Sequence, residues 1–129
     1  MIREFEKEDL EKVAEIWLNS NIKVHDFIKK DYWENNFETV KLMFLEAKIY
    51  VYEVANEIQA FIGLNNNYIE GIFVDEKMRS KGIGKELLDF VKQNSLELSL
   101  KVYKKNQKAI KFYQREGFKQ IEESIQLEI

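Results

Sequence analysis

The stretch Arg79-Ser80-Lys81-Gly82-Ile83-Gly84-Lys85 sets three cations around two of the chain's five glycines. An apolar run, Tyr68 to Val74, precedes it, and an amphipathic run from Leu87 follows. Glycines let an anion approach the backbone closely, while free N–H groups at a helix start and the helix dipole favour negative charge. Arginine adds a planar fork of donors suited to phosphate oxygens. Residue types and spacing together describe a cradle for a pyrophosphate.

Two familiar phosphate motifs fail the test of spacing. A P-loop read to Gly84-Lys85 puts Arg79 where its first glycine belongs and Glu86 where its hydroxyl belongs. A dinucleotide fingerprint requires a third glycine where Leu87 stands. The plain structural alternative is a glycine connection that only starts a helix.

Other residues have chemistry of their own. Asn106 opens an amphipathic run ending at Gly117, where it suits both a helix N-cap and a hydrogen bond to a ligand or bound water. Tyr113, four residues after Ala109, lies on the apolar stripe of that run, so a core aromatic is its structural reading. Glu70, two residues before Ile72 and on the same nominal strand face, is either a solvated carboxylate or a general base acting through water.

These residues need elements to hold them. Ile2 to Phe5 reads as a strand, and Leu10, Val13, Ala14 and Trp17 recur at helical spacing behind Glu8 and Asp9. Phe37, Val40 and Phe44 mark another helix, starting between His25 and Asn36. Ile49–Ala55 and Gln59–Asn65 read as a hairpin joined through Asn56-Glu57, and Tyr68–Val74 as a further strand. Ile83, Leu87 and Val91 share one helix face, and residues 96–102 alternate like a half-buried strand. Residues 106–117 read as a short helix with Gly117 suited to the position just past its end, and residues 118–129 as two short strands around Glu123-Ser124. The expectation is one α/β domain over residues 1–129, a mixed central sheet flanked by about four helices.

Composition narrows the function classes. Hydrophobic residues make up 45% of the 129, which fits a packed domain, and a formal charge of −3 argues against nucleic-acid or anionic-membrane binding. No cysteine and a single histidine exclude disulfides, thiolate catalysis and histidine-rich metal sites, so no metal is expected. No secretory signal or apolar span of about 20 residues is visible, which makes a cytoplasmic protein the expectation.

Arg79 to Gly84 resembles the Gln/Arg-x-x-Gly-x-Gly/Ala signature of the GNAT superfamily of acetyl-CoA-dependent N-acetyltransferases. The second segment, from Lys101 to Ile121, is similar to that family's region in which an asparagine, a Phe-Tyr pair and a Gly-Phe recur at these spacings. The likeness is strong from Tyr68 to Ile121. It implies a GNAT-like fold, acetyl-CoA as cosubstrate, and an amine acceptor attacked directly in a ternary complex. It further implies that Arg79, Ser80, Lys81, Gly82, Ile83, Gly84 and Lys85 hold the pyrophosphate. The pantetheine arm would run along the backbone of Ile72, Phe73 and Val74 like an added strand, with Ile72 and Val74 on one face and Phe73 on the other.

By the same resemblance Asn106 and Tyr113 lie by the cofactor, and Tyr113 donates a proton to the leaving thiolate. His25 belongs to an aromatic-rich segment that walls the acceptor pocket, with Tyr32 and Trp33 as packing or wall residues. A lysine-type acceptor costs about 4.6 kcal/mol to deprotonate at pH 7 and wants a base such as Glu70, whereas an α-amine costs about 1 kcal/mol. The family often carries a longer loop between its last two strands. The tight turn expected here implies an open acceptor side. A catalytically silent CoA-binding or sensing domain and a protein–protein interaction domain are the alternatives. A monomer or homodimer is the expected assembly.

Overall fold

The computed structural model describes residues 1–95, 97–120 and 126–128, the last three by backbone alone. Seven strands and five α-helices alternate along these residues: β1 Ile2–Glu4, α1 Leu10–Val24, α2 Lys30–Asn35, α3 Phe37–Glu46, β2 Lys48–Val54, β3 Glu57–Asn65, β4 Tyr68–Val74, α4 Ile83–Lys92, β5 Ser99–Lys101, α5 Gln107–Arg115, β6 Lys119–Gln120 and β7 Gln126–Glu128. The sheet order is β1-β2-β3-β4-β5-β7-β6, and β4–β5 is its one parallel pair. The mixed sheet agrees with expectation.

Each sheet face carries its own core. Ala60, Ile62, Leu64 and Ile69 meet Ile83, Leu87, Leu88 and Val91 of α4 and Tyr113 of α5 on one side. Ile49, Val51, Ile58 and Phe61 meet Val13, Ile16 and Trp17 of α1 and Trp33 of α2 on the other. The helical spacing of Ile83, Leu87 and Val91 explains α4: all three are buried, and enclosing each contributes about 2 kcal/mol relative to leaving it in water. Asp9 anchors the start of α1, accepting from the Glu6 N–H at 2.7 Å and from the Arg3 guanidinium at 2.8 Å and 3.0 Å.

Three details differ from the sequence reading. The helix marked by Phe37, Val40 and Phe44 starts only at Phe37, and a separate helix, Lys30–Asn35, precedes it; the Asn36 amide bonds back to the Tyr32 carbonyl at 2.6 Å where the two meet. The first hairpin turns at Ala55-Asn56, one residue early, with φ of 51° and 66° at those positions, as a primed turn requires. Of the strand expected over 96–102, the described residues 97–102 form β5 over Ser99–Lys101, and residue 96 lies outside the described residues. The turn at Glu123-Ser124, and with it the expectation of an open acceptor side, lies outside the described residues.

Candidate active site

β4 pairs with β5 only at Tyr68–Ser99 and Ile69–Leu100. From Glu70 to Val74 the two strands part, and the edge of β4 turned from β3 has no strand partner among the described residues. A bulge sits where they begin to part. Gly71 pairs with Gly63 and Ile69 with Leu64, so Glu70 is the extra residue. The bulge resets the alternation: Ile69 and Ile72, three apart, both pack toward α4 and α5, while Phe73 packs toward α1. Ile72 and Val74 on one face and Phe73 on the other therefore agree with the sequence reading.

Glu70 does not. A Cβ built at Gly63 would lie 3.8 Å from the Glu70 Cβ, and Gly63 shares the Phe61 face. Glu70 thus stands on the Phe73 side, opposite Ile72, because a bulged residue and its follower project together. Gly71 has a separate reason to be glycine: a Cβ there would come within 2.5 Å of the Phe73 ring, which stacks on Phe61 at 5.0 Å.

At the end of β4, Ser80 and Gly82 adopt left-handed φ of 63° and 80° and turn the chain into α4. Glu86 is the first residue to bond back, donating to the Gly82 carbonyl at 3.1 Å. The N–H groups of residues 81 to 85 have no acceptor among the described residues, so five free donors lie at the positive end of a ten-residue helix. Gly82 faces open space, with nothing within 4 Å of where a Cβ would stand, so its glycine answers to φ and to room for an anion. Gly84 faces inward, where a Cβ would touch the Phe112 ring at 3.6 Å and Ile72 at 3.9 Å. That contact places the first turn of α4 directly on β4 and α5.

The cations divide. Arg79 Nε donates to the Val74 carbonyl at 3.4 Å, and Ser20 of α1 donates its hydroxyl to the same oxygen at 3.4 Å. Arg79 also lines a cleft of about 300 Å³ with Asn19, Ser20, Lys23, Asp75 and Glu76. The Lys85 ammonium turns to Asp89 at 2.8 Å and Glu116 at 3.4 Å, which raise its pKa and leave only its amide for the cradle. Lys81 is exposed and forms no ion pair among the described residues.

Asn106 caps α5, its side-chain oxygen accepting from the Ala109 N–H at 3.2 Å, so its structural role is filled and its amide N–H₂ remains for other partners. Tyr113 is 7% exposed between Phe112 and Phe118, with ring centroids at 5.1 Å and 5.5 Å. Its hydroxyl bonds to nothing among the described residues, and burial pushes its pKa well above the ordinary phenol value. Tyr113 is therefore a neutral donor across the physiological range.

His25, just past α1, reaches across the molecule to Tyr103 in the loop between β5 and α5, with ring centroids 4.6 Å apart. Trp33 lies 5.8 Å from the same imidazole and is buried as expected of a packing residue, whereas Tyr32 is 52% exposed. Burial lowers the His25 pKa, so the imidazole is neutral at pH 7. Residues 72 to 74, Arg79, Gly82, Gly84 and Tyr113 converge around the α4 start and the parted strands. His25 joins the β5–α5 loop instead. Ser20, Phe27 and Tyr103 were not anticipated, since their partners lie far along the chain and leave no local signal.

A mixed sheet parted after β4, with free helix amides beside the parting and helices on both faces, defines an acyl-CoA-dependent transferase of the GNAT type. The family described as acetyltransferase (GNAT) domain matches residues 6–128, and the chain belongs to it. It is an acetyltransferase, with acetyl-CoA as the acetyl donor. The chain is 38% identical over 120 residues to the peptidyl-lysine N-acetyltransferase YiaC of Escherichia coli (strain K12), covering 92% of this chain and 82% of that protein. Against the peptidyl-lysine N-acetyltransferase YjaB of the same strain it is 29% identical over 121 residues, covering 92% and 81%. The solution structure of apo YjaB from Escherichia coli superposes with a TM-score of 0.83 at 25% identity, over 99% of this chain and 94% of that one. The PaiA N-acetyltransferase of Thermoplasma acidophilum, solved with coenzyme A, shares the fold with a TM-score of 0.86 at 22% identity, covering 99% and 96%. The silent-domain alternative has no support among these relatives. Among the described residues no helix is long and apolar enough to cross a membrane.

Proposed function

We propose that the chain acts as a single cytoplasmic domain over residues 1–129 and acetylates the ε-amine of lysine in peptides or proteins, by direct attack in a ternary complex. The observation that carries the reading is the parting of β4 from β5 immediately beside five free amides at the start of α4. An extended, amide-bearing arm ending in a pyrophosphate matches that surface: strand edge for the arm, helix start for the charge. The open space beside Gly82 fits the charged group. The lysine acceptor is supported by the relatives named for peptidyl-lysine transfer.

In this reading the backbone of Ile72, Phe73 and Val74 pairs with the arm, the amides of residues 81 to 85 take the pyrophosphate, and Arg79, Ser80 and Asn106 add donors. Acetyl-CoA supplies the activated acetyl group. Glu70, on the α1 side of the sheet, accepts a proton from the acceptor ammonium through water, and the neutral amine then forms the C–N bond as the C–S bond breaks. The surplus proton of the new amide nitrogen returns through water to the phenolate that Tyr113 becomes. An amide of β4 polarises the carbonyl, and Tyr113 donates its proton toward the departing sulfur. His25 belongs to the acceptor side. Burial makes the Tyr113 phenol a reluctant acid, but the same desolvation makes a departing thiolate a stronger base, so the transfer depends on both groups sharing one dry pocket.

Incubating the protein with acetyl-CoA and a panel of amines, with thiol release and mass spectrometry as readouts, tests the proposal. The expected product is ε-acetylated lysine. Bound CoA with no turnover on lysine peptides would sink it.

A further inference from the structure

Charge is spread unevenly along the chain. Residues 101–119 hold seven cations against one carboxylate, a net of +6 within a chain of −3, so the remaining residues carry −9. The one acid, Glu116, turns to Lys85 of α4 at 3.4 Å and leaves the cations uncompensated. Lys108, Lys111 and Arg115, at i, i+3 and i+7, lie exposed along one face of α5, and Lys104 precedes them in the β5–α5 loop. None of these four forms an ion pair among the described residues, whereas Lys12, Lys23, Lys41 and Lys48 each meet a carboxylate.

The stripe also works against the helix that carries it. The first turn of α5 holds Lys108 and no acid, although the dipole favours negative charge there, and cations three and four residues apart repel. An anion laid along this face relieves both effects. Its extent limits what that anion is. From Lys108 to Arg115 the stripe runs about 11 Å, the length of three or four residues of extended chain. A long polyanion or an anionic membrane plane would pass beyond it onto a surface of opposite balance, whereas a short acidic segment of a polypeptide would not. Ile110 and Tyr113 occupy the buried face of the same helix, so the stripe lies about one helix width, roughly 10 Å, from the proposed proton donor.

We propose that the outer face of α5 docks an acidic segment of the protein acceptor, its carboxylates on Lys108, Lys111 and Arg115, while the target lysine enters the site. The inference rests on the peptidyl-lysine reading given above. It makes acidic residues several positions from the target lysine a determinant of acceptor choice, and it gives the three cations a part in acceptor affinity and none in the chemistry.

The test uses two peptides with one lysine each, followed by a Gly-Ser spacer of about six residues, about 20 Å when extended, and a short run of either glutamates or glutamines. Lys108→Gln/Lys111→Gln is compared with Lys7→Gln/Lys48→Gln, which removes the same charge elsewhere on the surface. In the wild type the acidic peptide is expected to have the lower KM. The α5 variant is expected to raise that KM about fivefold with kcat unchanged, the sum of two exposed ion pairs, and to leave the glutamine peptide alone. The difference should fade from about 0.1 M to 1 M salt, as the screening length falls from about 10 Å to 3 Å. Equal KM for the two peptides in the wild type, or an α5 variant that behaves like its control, overturns the inference while the lysine reading stands. A matching loss of CoA affinity in the α5 variant also overturns it, since the stripe would then hold the cofactor, and so does a single-stranded oligonucleotide that displaces the labelled acidic peptide at lower concentration than the unlabelled peptide does. If neither peptide is acetylated but the labelled acidic one binds the wild type and not the α5 variant, the lysine reading falls and the face remains a dock for acidic polypeptide.

Discussion

Tyr113→Phe separates chemistry from packing because the wild-type hydroxyl bonds to none of the described residues. The ring is enclosed by Phe112 and Phe118, and a phenyl ring keeps those contacts. The hydroxyl has no partner among the described residues, and burial alone accounts for its raised pKa. Removing a bonded buried hydroxyl ordinarily costs about 1 kcal/mol, whereas removing one whose oxygen meets only solvent costs little. The variant should therefore stay within about 0.5 kcal/mol of the wild type, a change in melting temperature of about 2 °C or less for a chain of this size. Turnover should fall. Loss of a general acid lowers kcat by roughly 10²–10⁴, about 2.7–5.4 kcal/mol of barrier, and CoA affinity should stay within about twofold, because the pyrophosphate amides are untouched. Thermal unfolding, CoA titration and thiol release on one preparation give all three numbers. A variant that loses stability by about 1 kcal/mol or more yet turns over like the wild type refutes the reasoning, since Tyr113 would then be a core aromatic with a hidden partner.

Four further substitutions probe the rest of the site. Gly82→Ala adds a methyl to open space at a φ of 80°, so it should cost about 1–2 kcal/mol in unfolding and weaken CoA binding, while Gly84→Ala makes only ordinary contact and should stay within about 1 kcal/mol of wild type; equal CoA affinity in both would remove the cradle. Glu70→Gln, at an exposed bulge, should leave stability within about 0.5 kcal/mol and lower kcat/KM for lysine acceptors far more than for α-amines, as a base for the less acidic ammonium would. His25 has a folded pKa lowered from 6.5, so the unfolded chain binds more protons as pH falls through that value and stability drops there; His25→Phe should flatten the melting-temperature difference between about pH 5.5 and 7.5, and an unchanged difference would show that His25 does not titrate on unfolding.

What the residues disclosed on their own was local. Gly82 with Ile83, Leu87 and Val91 announces a helix start and its buried face within ten residues, and Asn106 with Gly117 brackets the last helix in the same way. What escaped was set by pairing between distant segments. The bulge at Glu70 exists because Gly63 on another strand accepts two residues opposite it, so the face of Glu70 could not follow from alternation within β4. Likewise Gly82 and Gly84 look equivalent in a Gly-x-Gly pattern. Only the approach of Phe112 and Ile72 shows that one glycine serves conformation and the other packing. The meeting of His25 and Phe27 with Tyr103 depends on how α1 and the β5–α5 loop flank the same opening, which no spacing encodes.

The bulge in turn explains how one short strand serves two substrates. Without it, Glu70 would share the face of Ile72 and Val74, turned toward the α4–α5 core, and its carboxylate would have to be buried there. One extra residue turns Glu70 to the α1 side, where it is exposed, and keeps Ile69, Ile72 and Val74 on the other. It also falls where β4 leaves β5, and the increased local twist of a bulge favours that parting. The same residue therefore frees the strand edge proposed for the cofactor arm and turns the proposed base toward the opposite face. Those two roles are coupled by backbone geometry, so deleting Glu70 should damage CoA binding as well as proton transfer, whereas Glu70→Gln should touch only the second.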